Sequence, residues 1–214
     1  MRVNEYNIIG SAVRLNEIPP EFRKLRLLGR GATTIAFQKD PDTAIVITRD
    51  NMKKDYLMHG LHMVTKSQII EPIRSHHIRG MQDVSLWAIE MPMLYPLSTE
   101  NSRKVSKEIK DWTKISADAR AAAMNRGFKI DKSKFFNYVQ NKYETEHPDS
   151  VLAPLFDFLA NYDPSQYGFD IGKRQFKQTN DGKIILLDPI VDQELLDLFQ
   201  NHRKNKGNLY YNNG

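Results

Sequence analysis

The sequence predicts an α+β fold in which an antiparallel sheet with one inserted helix precedes a mainly helical region. In the first part of the chain apolar and polar residues alternate, as they do along half-buried strands. From Ser98 onward apolar residues recur three and four positions apart, as they do on amphipathic helices. The change of period near Pro96 predicts two lobes and a tail: residues 1–96 with a lead-in at 1–24, residues 97–200, and a flexible polar tail at 201–214.

The composition is that of an ordinary globular protein. The 214 residues suffice for one substantial domain or two small lobes, and apolar residues make up 40% and charged residues 27%. No apolar run reaches the length of a membrane span or a secretory leader, so we expect a cytoplasmic protein without a membrane partner. The absence of cysteine excludes disulfides and thiolate metal sites. A net charge of +5 permits binding to nucleic acid or acidic proteins without indicating either.

Two glycines interrupt the first strand signal. Apolar and polar residues alternate over Leu25–Phe37 on either side of Gly29 and Gly31, which predicts a strand, a glycine-rich turn and a second strand. Because glycine lets backbone N–H groups approach phosphate oxygens closely, such a turn can cover the phosphates of a nucleotide. An ordinary hairpin turn is the alternative interpretation.

A third strand, a helix and two further strands complete the predicted sheet. The β-branched run Ala44–Thr48 is typical of a strand, and Asp50 is suited to cap the helix that follows. We expect a hairpin over Ile78–Glu90 and a strand over Trp87–Leu94 that stops at Pro92. These runs predict an antiparallel sheet of five strands. The predicted buried stripe of the helix consists of Leu57, Leu61 and Val64.

Helical periodicity dominates the second part of the chain. Three apolar faces are predicted: Val105, Ile109 and Trp112 on the first helix, Phe135, Val139 and Tyr143 on the second, and Leu152, Phe156 and Leu159 on the third. Between Arg103 and Lys142 there are eleven Lys or Arg against four Asp or Glu. This positive charge has two interpretations. It is either a solvated helix face or a surface that docks a partner protein or nucleic acid. A last short helix is predicted over Leu195–Phe199.

The stretch Tyr167–Val191 combines a hairpin with two acidic residues. Its Asn-Asp-Gly at 180–182 tolerates the positive φ that tight hairpin turns need, and the apolar run Ile184–Leu187 forms the second strand. Asp170 precedes the hairpin and Asp188 follows its second strand, so pairing of the strands would bring the two carboxylates near each other. Paired carboxylates suit Mg²⁺ together with a phosphate because Mg²⁺ prefers oxygen ligands. Alternatively, Asp188 only caps the turn that follows it.

In their order, these segments resemble the motifs of protein kinases, in particular the early serine/threonine kinases of short-tailed (T-odd) bacteriophages. The likeness covers roughly residues 25–192. The segments that carry it are Leu28–Phe37 for the phosphate loop, Ala44–Ile47 for the third strand, Ile89–Leu94 for the segment that links the lobes, Phe169–Phe176 for the catalytic loop, and Leu187–Ile190 in place of the metal-binding Asp-Phe-Gly.

The resemblance implies a two-lobed, protein-kinase-like fold of reduced size that binds ATP and Mg²⁺. It also implies a host protein as acceptor or partner, in the host cytoplasm. The implied nucleotide-binding residues are Gly29, Arg30, Gly31, Val46, Arg49, Glu90 and Met91. The implied catalytic residues are Lys173 and Asp170, which orients the acceptor hydroxyl, and the implied metal ligands are Gln175 and Asp188.

Some positions depart from the kinase pattern. Val46 occupies the position of the third-strand lysine that grips the nucleotide phosphates, which leaves Arg49, Arg30 or Lys173 to supply a cation. Gln175 stands in place of the catalytic-loop asparagine. Because phosphoryl transfer depends on positioning and charge neutralisation, loss of the lysine favours a pseudokinase that binds and modulates a host protein, whereas retention of both acids favours an active kinase. A third interpretation, a basic nucleic-acid-binding protein, depends on charge alone.

Overall fold

The structure is a computed structural model that describes residues 13–31, 33–61, 63–73, 85–125, 132–162, 166–169 and 171–193. Its strands are β1 (Arg26–Arg30), β2 (Thr34–Gln38), β3 (Thr43–Thr48), β4 (Lys66–Ile70), β5 (Leu86–Pro92), β6 (Tyr167–Phe169), β7 (Phe176–Gln178), β8 (Ile184–Leu186) and β9 (Ile190–Asp192). Its helices are α1 (Pro20–Arg23), α2 (Asn51–Asp55), α3 (Thr99–Asn125), α4 (Lys132–Glu146) and α5 (Ala153–Leu159). Single 3-10 turns occupy Leu15–Glu17 and Lys173–Gln175, and a π-helical turn occupies Tyr56–Gly60.

The described residues form two compact units. The first contains the described residues of the ranges 1–58, 62–93 and 192–214, and the second contains those of 59–61 and 94–191. The first holds the predicted glycine turn and the large sheet, and the second holds the long helices and the predicted hairpin.

The first unit is built on a five-stranded antiparallel sheet with the strand order β1-β2-β3-β5-β4. Central β3 pairs Val46 with Ala36 of β2 on one side and with Ile89 of β5 on the other. The Asp50 carboxylate caps α2 by accepting the backbone N–H of Lys53 at 2.9 Å. The prediction of an α+β chain with a five-stranded antiparallel sheet and a helix after the third strand is therefore confirmed.

One face of this sheet carries the core of the first unit. Because side chains alternate along a strand, Ile45 and Ile47 lie on this face and Val46 on the other. The core also contains Val13 and Ile18, so the lead-in before β1 packs with the sheet. The buried members of the core are Val13, Ile18, Ile35, Phe37, Ile45, Ile47, Ile70, Leu86 and Ala88.

The course of the chain after α2 differs from the prediction. A buried stripe of Leu57, Leu61 and Val64 requires a continuous helix, but the helix changes to the π-helical turn and ends at Gly60. The chain then returns as β4, which pairs with β5. β4 is an edge strand with mostly exposed side chains, so its sequence lacks the alternation of a half-buried strand. The first part of the predicted hairpin, at 78–84, lies outside the described residues, as does the predicted helix after α5 and β9 at 195–199.

The second unit is mainly helical and contains a cluster of aromatic rings. The ring centroid of Trp112 on α3 lies 5.4 Å from that of Tyr143 on α4 and 5.3 Å from that of Phe156 on α5. Each of the three helical segments buries residues of the apolar face that periodicity predicted for it. Among the described residues, no helix combines the length and the apolar character that crossing a membrane requires.

A hairpin follows these helices. β7 and β8 pair antiparallel with Phe176 opposite Leu186, and Gly182 in the connecting turn has a φ of +88°. The Thr179 hydroxyl donates to the Asp181 carboxylate, and this hydrogen bond lowers the pKa of Asp181. The predicted turn is thus confirmed. β6 pairs with β9 in a separate two-stranded sheet.

We expect Gly182→Ala to lower the free energy of unfolding by about 1–2 kcal/mol, because the left-handed backbone at this position costs an L-residue about that much. Gly29→Ala is the matched control, since a Cβ at Gly29 would meet no atom within 4 Å and its φ is not left-handed. That variant should leave the stability unchanged or raise it by up to about 1 kcal/mol. Urea denaturation measures both, and equal losses in the two variants would contradict this account of the glycines.

Candidate nucleotide and metal site

Of the two glycines predicted to cover phosphates, Gly29 lies within β1, where it pairs with Ala36 of β2, and Gly31 follows that strand directly. The backbone N–H of Gly31 donates to the carbonyl of Thr34 at 2.8 Å and closes the turn. A Cβ would meet nothing within 4 Å at Gly29, and at Gly31 it would meet only the Thr34 carbonyl, at 3.8 Å. Neither glycine has a left-handed φ. The fold of the chain therefore does not itself require glycine at these positions, and open space lies beside both.

Two of the candidate phosphate-binding cations have very different surroundings. Arg30 is exposed at the end of β1, and its guanidinium donates to the carbonyl of Val13 at 3.2 Å. The guanidinium of Arg49 instead donates to the carboxylate of Glu17 at 2.8 Å, and the exposed fractions of these two side chains are 2% and 0%. Arg49 is thus held in a buried ion pair inside the first unit, and contact with a nucleotide phosphate would require that pair to break.

Glu17 is absent from the predicted site, yet it organises the lead-in. Its carboxylate also accepts the backbone N–H of Arg14 at 2.8 Å, and its carbonyl accepts the N–H of Ile73 at 2.9 Å. The spacing from Arg14 to Glu17 matches that of a capped helical turn. Nothing in the sequence marks the pairing with Arg49, because that partner lies 32 residues away along the chain.

Val46, Glu90 and Met91 lie within the paired part of the sheet. Val46 is buried in β3, where an apolar side chain cannot neutralise phosphate charge. Glu90 and Met91 belong to β5 and pair with β3. The Glu90 carbonyl also accepts the N–H of Thr65 at 2.8 Å, and its carboxylate pairs with Lys39 at 2.8 Å. Recognition of adenine by this backbone, as the resemblance implies, would therefore compete with hydrogen bonds of the sheet at Glu90.

The hairpin brings Gln175 and Asp188, the two predicted metal ligands, to its open end. The backbone N–H of Leu187 donates to the carbonyl of Gln175 at 2.7 Å, one position beyond the last pair of β7 and β8. Asp188 follows Leu187 directly, so the two candidate ligands start from neighbouring positions across the hairpin. Gln175 is buried and Asp188 is half-buried. A Cβ on Gly172 would lie 3.2 Å from Oε1 of Gln175, so the glycine leaves room for this amide.

The predicted catalytic residues are Lys173 and Asp170. Lys173 is exposed at the start of the 3-10 turn that contains Gln175, and Asp170 lies outside the described residues. In the ranges that the structure describes, no three His, Cys, Asp or Glu side chains form a group that could hold a metal. The described candidates for a metal are therefore Gln175 and Asp188, whose carbonyl and carboxylate oxygens are of the type that Mg²⁺ takes.

Glu108 on α3 is a second buried carboxylate that the predicted site does not include. It accepts the Ser150 hydroxyl at 2.7 Å, the Val151 N–H at 3.0 Å and the Tyr143 hydroxyl at 3.3 Å. Burial raises the pKa of Tyr143, so this hydroxyl stays protonated and can donate. Helical periodicity could have signalled Glu108, because it falls three residues after Val105 on the buried face of the helix. Its contacts tie α3 to the start of α5.

Comparison of the chain with models of protein families, with curated proteins and with solved structures gives no match. The likeness to kinases therefore depends on the motifs quoted above. An account of function has to be argued from the side chains and contacts of this chain.

Removing one partner of the buried ion pair, in Glu17→Ala or Arg49→Ala, should lower the free energy of unfolding by about 3–5 kcal/mol, because the remaining charge stays buried without compensation. The exposed pair of Lys39 and Glu90, with the same 2.8 Å separation, is the matched control. Lys39→Ala should cost about 0–1 kcal/mol, since water and salt screen an exposed pair.

Denaturant unfolding of the three variants measures the difference. The interpretation fails if Lys39→Ala is as damaging as Arg49→Ala. It also fails if the double replacement of Glu17 and Arg49 by alanine costs the sum of the two single replacements, because partners in one ion pair are not additive.

Proposed function

We propose that this chain is a kinase-like protein that binds ATP with Mg²⁺, and that it transfers phosphate to a hydroxyl of a host protein at most weakly. The observation that carries the proposal is the backbone hydrogen bond from the Leu187 N–H to the Gln175 carbonyl, which brings Gln175 next to the residue before Asp188 at the open end of the hairpin. An amide oxygen and a carboxylate in this order match the two metal-holding positions that the resemblance implies for Gln175 and Asp188.

The glycine turn supports the nucleotide part of the proposal. Neither packing nor backbone conformation calls for glycine at positions 29 and 31, so a ligand that approaches the backbone closely is a reason for glycine there. Successive backbone N–H groups in such a turn can bind phosphate oxygens, and the N–H of Gly31 would give up its hydrogen bond to the Thr34 carbonyl to take part. Arg30, exposed within the same segment, is the cation best placed to supplement them.

The surroundings of Gln175 and Asp188 support the metal part. Bound Mg²⁺ would neutralise charge on the phosphates, which is its usual contribution to phosphoryl transfer. Burial of Gln175 next to Gly172 restricts the orientation of its amide, and the backbone hydrogen bond fixes its distance from the start of Asp188. Groups that the fold already holds in position lose less conformational freedom when a metal ion binds.

The alternative function is that of a pseudokinase, which binds a nucleotide or a host protein without catalysis. The buried pair of Arg49 with Glu17 favours it, because the cation nearest to the position of the missing lysine is already neutralised. Val46 favours it as well, since no charge is available at that position of β3. Loss of one charge-stabilising group of this kind slows an enzyme by roughly 10²–10³-fold.

We expect ATP with Mg²⁺ at about one hundred times its Kd to stabilise the chain by about 2.7 kcal/mol, because the ligand binds only the folded state. A stabilisation of that size raises the midpoint of thermal unfolding by about 5–10 °C for a chain of this length. Asp188→Asn should abolish the part of this shift that depends on Mg²⁺, since it removes the charged ligand without changing the size of the side chain.

Asp181→Asn is the control for that experiment. It removes one carboxylate from the same hairpin, but at the turn, and asparagine is tolerated in turns of this type. The Mg²⁺-dependent shift should survive in this variant. If both variants retain the shift, or both lose it, Asp188 is not the metal ligand and the metal part of the proposal is wrong.

The second experiment separates the enzyme from the pseudokinase. With ³²P-labelled ATP and a host-cell lysate, we expect faint labelling by the wild-type protein and none by Asp188→Ala or Asp170→Ala. Folded variants, checked by circular dichroism, are needed for the comparison. Labelling that persists in both variants would come from a contaminating kinase. No labelling by a wild-type protein that still shows the thermal shift would leave the pseudokinase as the function.

A further inference from the structure

A stripe of positive charge runs along the exposed side of α3. It consists of Arg103, Lys107, Lys110 and Lys114, and all four residues are exposed. At 100° per residue these positions fall within about 60° of one another around the helix axis, and they span about 17 Å along it. We call these four residues the basic stripe.

The cations of the basic stripe have no direct partner in the described part of the chain. None of the four side chains forms an ion pair or a hydrogen bond with any other residue in the described ranges. Glu100, one turn before the stripe, and Asp118, one turn after it, mark its two ends. Two acids lie between these ends: Glu108 is buried with Tyr143 and Ser150, and Asp111, half-exposed beside Lys107 and Lys114, lies 4.0 Å from His147.

We propose that the basic stripe binds the phosphate backbone of a double-stranded nucleic acid without regard to base sequence. Along one strand of a duplex there is one phosphate about every 3.4 Å of the axis, so a length of about 17 Å presents about five phosphates to four cations. Lysine and arginine side chains make the contacts to phosphate that give such binding its affinity. The proposal goes beyond nucleotide binding and does not depend on it.

The make-up of the exposed face favours a phosphate backbone over an acidic protein. Protein interfaces use buried aromatic and apolar anchors and are depleted of lysine. The residues that flank the stripe on one side are instead Thr99, Ser106 and Thr113, and the helix continues beyond it with small residues at Ala117 and Ala121. The hydroxyls of Ser106 and Thr113 donate to the carbonyls of Ser102 and Ile109, so the four cations carry the contacts to phosphate. The described residues between Arg103 and Lys114 include no exposed large apolar side chain that could anchor a protein partner.

The test uses fluorescence anisotropy with a labelled 20-base-pair duplex of random sequence and a series of salt concentrations. If four phosphates are contacted, the logarithm of the association constant should fall with the logarithm of salt concentration with a slope of about −3.6. The double variant Lys107→Gln with Lys110→Gln should reduce that slope to about −1.8 and weaken binding on the order of 50-fold at 0.1 M salt. Glutamine has a helix propensity close to that of lysine, so α3 should persist.

Lys66→Gln with Lys183→Gln is the matched control, because it removes the same charge from two exposed lysines elsewhere in the chain. The control should bind the duplex like the wild type. Equal losses in the two double variants would mean that net charge alone attracts the duplex, and would overturn the proposal. So would unchanged binding in the stripe variant. Displacement of the duplex by poly-glutamate at equal charge concentration would assign the stripe to an acidic protein instead.

Discussion

The buried ion pair between Glu17 and Arg49 is the interaction on which the first unit depends most. Two charges removed from water are tolerated only when each has its partner and further hydrogen bonds, and Glu17 meets this condition with Arg49 and the N–H of Arg14. The pair joins the lead-in to the residue that follows β3. It therefore fastens the lead-in to the end of β3, and Val13 and Ile18 of the same segment lie in the core.

The same corner of the sheet also supports the glycine turn. The N–H of Arg49 donates to the carbonyl of Thr33 at 3.2 Å, and the hydroxyl of Thr48 donates to the same carbonyl at 3.1 Å. The Thr48 hydroxyl in turn accepts the N–H of Asp50 at 3.1 Å, and Asp50 caps α2. Thr33 in the turn is thus held by residues at the end of β3, whereas a Cβ at the nearby Gly29 would meet no atom within 4 Å. A rigid support next to an accessible backbone is what phosphate binding requires.

Positive charge is divided between two uses in this chain. Arg49 is neutralised inside the first unit, where it stabilises the fold and is withdrawn from any ligand. The cations of the basic stripe remain exposed and without an ion-pair or hydrogen-bond partner in the described ranges, where they contribute little to folding. A net charge of +5 would not distinguish these cases, because it sums buried and exposed groups. Only the position of each cation in the fold shows whether its charge is neutralised in the core or exposed on the surface.

The sequence by itself determined the features that depend on neighbours along the chain. Alternation predicted β2, the β-branched run Ala44–Thr48 predicted β3, and the Asn-Asp-Gly signal predicted the turn with Gly182. The prediction of Asp50 as a helix cap is also confirmed, because each of these features is decided within a few residues. The helical faces around Trp112 follow from periodicity for the same reason. The Mg²⁺ and ATP site stays a prediction, although the pairing of β7 with β8 set Gln175 near Asp188.

Only the tertiary structure decided the features that join distant residues. The pairing of Arg49, a predicted phosphate-binding cation, with Glu17, 32 residues away, is one of them. Edge strand β4 is held by its pairing with β5 rather than by its own pattern, and periodicity extended the preceding helix to Val64, past its actual end at Gly60. Burial of Glu108 and exposure of the lysines on the same helix likewise depend on what packs against each face. Local patterns carry backbone preference, whereas the partner of a charge is fixed only when the chain has folded.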